Sequence, residues 1–331
     1  MRAVAAIMVV GYHVFPQISR MGYDGPELTF LALGVDVFFV ISGFIMWETT
    51  KDRPERTPVN FLADRFFRIA PIYYLITSLV VFLMAIAPSV LQTTRFDLWN
   101  VISSYLFFPS LKPSNVRVEP VLSPGWTLNY EMFFYLVFAA AMLQRDLRAR
   151  ASIIIGTLFA LALVGALWVP SDAAVPVVFY TDSIVLEFGL GIFVSMIRGR
   201  IASWRYGWWL ILIGFVALIV GSFLPTLPFR VQYALPAAAI VLGAALAPAV
   251  RLPILELLGN ASYSIYLSHF LTMSAVGQLW RRLELPIWGF APVAIAICVI
   301  VGVGCYYWVE RPVGSYISSV RRRNAVQVAA T

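Results

Sequence analysis

Residues 288–309 read WGFAPVAIAICVIVGVGCYYWV, twenty-two positions without one charged side chain. At 1.5 Å of rise per residue a helix of that length reaches about 33 Å, enough for the roughly 30 Å hydrocarbon core of a bilayer. Nine other apolar runs match it, near residues 2–16, 28–48, 69–90, 126–144, 151–169, 178–197, 206–224, 232–250 and 258–279. Composition agrees: 60% of the residues are apolar, 12% are charged, and the mean hydropathy is +0.83. These values exclude a soluble globule and predict an all-α, polytopic membrane helix bundle of about ten transmembrane helices. The connections are short, so residues 1–331 read as a single domain with a basic C-terminal tail over about 313–331. A shorter apolar patch at 97–109 reads as an interfacial or re-entrant piece. It lies in the longest connection, 91–125, where Pro109, Pro113, Pro120 and Pro124 predict an ordered, turning loop.

The basic residues set the orientation. With ten spans, one side holds Arg2, the Lys51 to Arg68 connection, Arg145, Arg148, Arg150, Arg198, Arg200, Arg205, Arg251, Arg311 and Arg321 to Arg323. The other side holds Arg20, Arg95, Lys112, Arg117, Arg230, Arg281 and Arg282. The first set is the larger, which predicts that both termini are cytoplasmic. Topology and anionic lipid headgroups then account for the net charge of +7, with no need of nucleic acid. Cys298 and Cys305 lie seven residues apart on one expected helix, about 10 Å along its axis and beyond disulfide reach. The first segment has no convincing small-residue cleavage site after its apolar region, so it reads as a retained helix and not a signal peptide.

Ionisable groups inside a bilayer cost about 3 kcal/mol or more each and mark function. His13 and His269 each lie about eleven residues into their spans, near mid-bilayer. Asp36, Glu131 and Glu187 fall roughly 8–14 Å below the opposite face, so acids and histidines are expected in one layer. Eleven positions at 100° each exceed three full turns by only about 20°, so Arg2 and His13 share a helix face with His13 about 16 Å deeper. That spacing suits a donor whose phosphorylated head is held by arginine and whose reactive end meets a base. Acyl-coenzyme A has this shape. Taken alone, Arg2 could equally be a positive-inside anchor and His13 a hydrogen-bonded core residue.

Seven stretches, in order across about residues 2–312, carry a resemblance: RAVAAIMVVGYH, GVDVFFVISGFIM, FLADRFFRIAPIYYL, SPGWTLNYEMFFY, LEFGLGIF, LGNASYSIYLSHF and YWVERP. Together they resemble the acyltransferase-3 family of integral-membrane O-acyltransferases, which modify O-antigens, exopolysaccharides and Nod factors. The resemblance implies that Arg2 and His13 form the element that engages the acyl donor, with His13 as the base or a transient acyl carrier. Arg65 and Arg68 would hold coenzyme A phosphates, while two arginines three apart at a helix's inner end serve equally well as topology anchors. Glu131 would orient His13 or bind a sugar hydroxyl, with Trp126 and Tyr130 near enough to stack on a glycan. Asp36, Ser42-Gly43 and His269 match family positions too; close helix packing for Ser42-Gly43 and a structural hydrogen bond for His269 are at least as natural. Glu310 and Arg311 read as a helix-terminating ion pair. The implied donor is acyl-CoA, acetyl-CoA by family habit, with no metal. The implied acceptor is a carbohydrate, lipid-linked or exported, at a bacterial inner membrane. Family members carry several residues before the arginine, where Met1 stands here, so the expectation is a native start upstream of Met1. The rival class is a proton-coupled secondary transporter or glycan flippase, which also buries His and acidic groups but shows repeated halves that this sequence lacks.

Overall fold

In hydrocarbon a backbone N–H or C=O finds no water, so an apolar run satisfies itself by coiling into a helix. The computed structural model describes residues 1–86, 95–114, 117–201, 206–224, 231–248, 250, 252–317 and 319–320. Arg205, Arg230, Arg251, Arg321 to Arg323 and the distal end of the 69–90 run lie outside the described residues.

Among the described residues, each apolar run expected to be helical contains a helix. In order it forms α1 (Arg2–Tyr12), α2 (Phe15–Ser19), α3 (Gly34–Thr50), α4 (Pro58–Ile86), α5 (Leu98–Tyr105), the two-residue strands β1 (Leu111–Lys112) and β2 (Arg117–Val118), and α6 (Trp126–Ala141). There follow α7 (Leu147–Trp168), α8 (Val175–Tyr180), α9 (Leu186–Arg198), α10 (Gly207–Gly221), α11 (Val231–Leu246), α12 (Pro253–Asn260), α13 (Ser262–Arg282) and α14 (Phe290–Cys305). By length and composition, five described stretches can cross a membrane: Thr29–Thr50, Pro58–Ile86, Leu147–Trp168, Val175–Arg198 and Ile287–Ile317. α10 and α11 are apolar but shorter. α13 is long enough, yet Ser, Thr, His and Gln recur along it and make it more polar than those five.

α3 is the hub, packed against α1, α9 and α11. Its approach to α9 needs small residues: a Cβ on Gly43 would overlap the Phe188 carbonyl oxygen, and one on Gly191 would overlap that of Val40. α5 is too short to cross and lies along α4, whose Tyr73 and Tyr74 hydroxyls donate to the Ser104 and Tyr105 carbonyls. β1 and β2 pair antiparallel, Lys112 opposite Arg117.

The expected stop at Glu310-Arg311-Pro312 is not a stop. The helix passes through a π turn over Tyr306–Glu310 and continues to Ile317. Proline removes one N–H from the ladder, and a wider turn just before it absorbs the missing bond. Glu310 accepts from the Ser264 hydroxyl instead of pairing with Arg311, whose guanidinium lies 5.9 Å from the Tyr307 ring.

Candidate active site

Three spaces lie one behind another through the bundle. The first is a groove of about 980 Å³ at the end where α1 begins, lined by Arg53, Asp64, Arg68, Tyr306, Glu310 and Arg311. Arg68, exposed, also lines the second, a narrow cavity of about 70 Å³ that contains Arg2, Ser42, Arg65, Glu131 and Tyr135. α1 begins there and supplies Arg2, one turn of α4 presents Arg65 and Arg68 together, and α6 adds Glu131. Glu131 accepts from the Ser42 and Tyr135 hydroxyls, each at 3.2 Å. Among the described residues no carboxylate comes within 4.0 Å of Arg2, Arg65 or Arg68, and the buried Nε atoms of Arg2 and Arg65 have no partner. Three guanidiniums around one small acid-poor cavity make a seat for an anion.

Val35 and Tyr266 line both this cavity and the third space, and so form the wall between them. That third space, about 1030 Å³, holds His13, Asp36, Glu119, Ser123, Trp126 and Phe270. His13 ends α1, and its Nδ1 donates to the Val9 carbonyl at 2.9 Å. A carbonyl can only accept, so the ring proton sits on Nδ1 and Nε2 keeps its lone pair. His269 repeats the arrangement one helix away. It is fully buried, its Nδ1 donates to the Tyr266 carbonyl, and its Nε2 has no partner. The two rings meet edge to face, 4.8 Å between centroids.

The structure thus separates what the sequence placed in one layer. His13, Asp36 and His269 gather at or beside the third space, whereas Glu131 joins Arg2, Arg65 and Arg68 in the second. The cause is the start of α6: Ser123, Pro124 and Gly125 are themselves buried, with Gly125 against the Tyr73 ring. Counting residues from Trp126 therefore overstates the height of Glu131. Glu187 is fully buried on α9 and lines none of the three spaces. The Nδ1 bond to Val9 holds the His13 ring against its own helix. Tyr130 is committed to packing, stacked on Phe179 at 3.9 Å with its hydroxyl donating to the Phe179 carbonyl. Trp126 does face the large cavity.

Sequence reasoning missed what the 91–125 loop contributes. Lys112, counted there as one outer charge, is 1% exposed. It donates to the Ser123 hydroxyl oxygen at 2.7 Å, stands 3.9 Å from the Glu119 carboxylate, and lies 5.9 Å from the Phe270 ring. Burial pulls its ammonium below the ordinary lysine value, and Glu119 opposes that shift. The Asn100 amide braces the loop by donating to Ser110 and to the Glu119 carbonyl. Its prolines announced order, but nothing in them announced an inward-facing lysine. Among the described residues no three His, Cys, Asp or Glu side chains gather in a way that could hold a metal ion.

Known proteins resemble this chain along most or part of its length. A family model described as an acyltransferase domain matches residues 1–308. The exopolysaccharide production protein ExoZ of Rhizobium meliloti is 35% identical over 323 residues, 92% of this chain and 95% of that protein. The peptidoglycan O-acetyltransferase OatA of Listeria monocytogenes is 26% identical over 51% of this chain, which covers 27% of that longer protein. The acyltransferase MdmB of Streptomyces mycarofaciens is 27% identical over 42% of this chain and 36% of its own length. No solved structure matches.

Proposed function

The chain belongs to the acyltransferase-3 family, and on that premise we propose that it is a multi-pass membrane O-acyltransferase that moves an acyl group, acetyl being the simplest, from cytoplasmic acyl-CoA to a hydroxyl of a cell-surface or exported glycan. The observation that carries the reading is the alignment of the three spaces: Arg68 is common to the first and second, Val35 and Tyr266 to the second and third. A long, thin donor fits that sequence. Its phosphates rest among Arg53, Arg68, Arg2 and Arg65, its pantetheine arm passes Val35 and Tyr266, and its thioester arrives beside His13. In this reading the arginine-rich end faces the cytoplasm of a bacterial inner membrane, with about ten helices crossing it. The glycan, lipid-linked or free, enters the large cavity from the other side, where Asp36, Glu119 and Trp126 offer acceptors and an aromatic face.

The chemistry follows from the histidine tautomer. The acceptor hydroxyl oxygen attacks the thioester carbonyl carbon while His13 Nε2 takes its proton. The tetrahedral intermediate collapses, the carbon–sulfur bond breaks, and the same proton passes to the departing coenzyme A sulfur. His269, edge-on to His13 with a free Nε2, holds the ring in place and offers a second proton acceptor. Glu131, between Ser42 and Tyr135, balances the arginine seat instead of acting on the acyl group.

The test is purified, detergent-solubilised protein given acetyl-labelled acetyl-CoA. Wild type consumes the thioester; His13→Ala lowers turnover by roughly 10²- to 10⁴-fold, the usual worth of a general base, and Arg2→Ala chiefly raises KM. Full activity in folded His13→Ala would remove the histidine from the reaction. No coenzyme A binding at all would favour a transporter, which needs none.

A further inference from the structure

The third space holds an arrangement that the acyl-transfer reading leaves unused. A lysine ammonium is strongly hydrated, and taking it out of water costs several kcal/mol unless its surroundings are arranged for it. Lys112 is nevertheless 1% exposed, on a hairpin strand of two residues where a solvent-facing position would cost nothing. Glu119, at 3.9 Å, is an ion-pair neighbour beyond hydrogen-bond range. Among the described residues the single hydrogen bond of the Lys112 ammonium is the one it donates to Ser123 at 2.7 Å.

That bond has a consequence for Ser123. The serine oxygen is occupied as an acceptor, so its own hydrogen must point elsewhere, and among the described residues it meets no acceptor. Ser123 lines the cavity that contains His13. The contacts also run back to the base: the Lys112 ammonium is 5.9 Å from the Phe270 ring, and that ring is 6.1 Å from the His13 ring. The neighbouring Pro124 carbonyl accepts from Tyr266, whose ring lies 5.8 Å from that of His269. Ser123 and His13 therefore line one cavity, and Phe270 and Tyr266 link the surroundings of the serine to the histidine pair.

We propose that the Ser123 hydroxyl, polarised by the Lys112 ammonium behind it, is the oxyanion donor of this site. This rests on the acyl-transfer reading. When the acceptor hydroxyl adds to the thioester, the carbonyl oxygen becomes an anion that must be met by preorganised donors. Ser123 donates its free hydrogen to that oxygen. Lys112 transfers nothing; its charge strengthens the serine as a donor through the shared hydrogen bond and lies one atom behind the developing negative charge. Ser123 is then a catalytic residue and Lys112 a positioning one.

The experiment measures kcat and KM for acetyl-CoA with a glycan acceptor in wild type, Ser123→Ala, Ser123→Thr, Lys112→Met and His13→Ala, each checked for folding by thermal unfolding in detergent. Loss of one such donor costs roughly 10²-fold in kcat. Ser123→Ala is expected to fall by that amount with KM unchanged, Ser123→Thr to recover most of it, and Lys112→Met to fall in kcat alone. Wild-type kcat in folded Ser123→Ala overturns the proposal, as does equal loss in the alanine and threonine variants, because the hydroxyl is then not what matters. If the alanine variant does not fold, Ser123→Cys keeps the size with a much weaker donor: a large kcat loss supports the assignment and wild-type kcat overturns it. Failure of the underlying reading looks different, with wild type no faster than His13→Ala.

Discussion

The pH response of Lys112 follows from its burial. Its folded-state pKa lies below the ordinary lysine value of 10.5, so it loses its proton at a pH where an unfolded-chain lysine still holds one. Across that window the unfolded chain binds more protons than the folded one, and stability gains slightly as pH rises. Activity has the opposite sign. The ammonium sits among Ser123, Glu119 and the Phe270 ring, none of which carries a positive charge, with Arg117 opposite on the paired strand and not against Ser123 in any described hydrogen bond. Transfer is therefore expected to fall as pH rises through a value below 10.5, and Lys112→Arg, charged throughout, to shift that fall upward. A kcat profile whose basic limb is identical in the two proteins would separate Lys112 from the reaction. The sequence disclosed part of this site well. The eleven-residue interval of Arg2 and His13 sets them one above the other by helix geometry, and the structure seats them in two adjoining spaces, the second and the third. The sequence could not disclose the Nδ1 bond to Val9, the company Glu131 keeps, or the inward turn of Lys112. The first is a rotamer choice at the end of α1; the other two depend on how a loop dips into the bundle, and loop prolines constrain order without direction.

Among the helices, the packing of α3 on α9 depends on two glycines. Replacing Gly43 by alanine drives a Cβ into a backbone oxygen, an overlap that no rotamer change can relieve. Overpacking of this kind costs about 1–3 kcal/mol, so Gly43→Ala is expected to lower the thermal unfolding temperature in detergent. Gly156, inside α7, has no atom within 4 Å of its would-be Cβ, and there alanine is favoured by up to about 1 kcal/mol on helix propensity. Gly156→Ala should unfold at or above the wild-type temperature, and comparison of the two melting curves checks both. Helix positions were legible because hydrocarbon leaves an apolar run one way to satisfy its backbone. Gly43 was also legible as packing, whereas Ser42 beside it gives its hydroxyl to Glu131. The continuation past Pro312 was not, since a proline ordinarily ends a helix and the π turn before it has no sequence signature of its own.

In the bundle as a whole, the proposed acyl transfer requires that the wall between the arginine seat and the histidine cavity let an acyl arm through while holding water back. Val35 and Tyr266 are the side chains common to both spaces, and the Tyr266 hydroxyl is fixed by donating to the Pro124 carbonyl beside Thr127. The cavity on the arginine side is narrow, about 70 Å³, so a large side chain turned into it from the wall fills it. Val35→Trp is therefore expected to plug the passage. Coenzyme A without an acyl group, held by its phosphates on the near side, should bind the variant about as tightly as wild type. Turnover of acetyl-CoA should drop to the level of His13→Ala, because the thioester no longer reaches the base. Calorimetric binding of coenzyme A and consumption of labelled acetyl-CoA, measured on the same preparation, check the two halves separately. Loss of both together would mean that the donor does not run past Val35. Retention of both would mean that the thioester reacts without crossing the wall, and His13 would then be the wrong base for it.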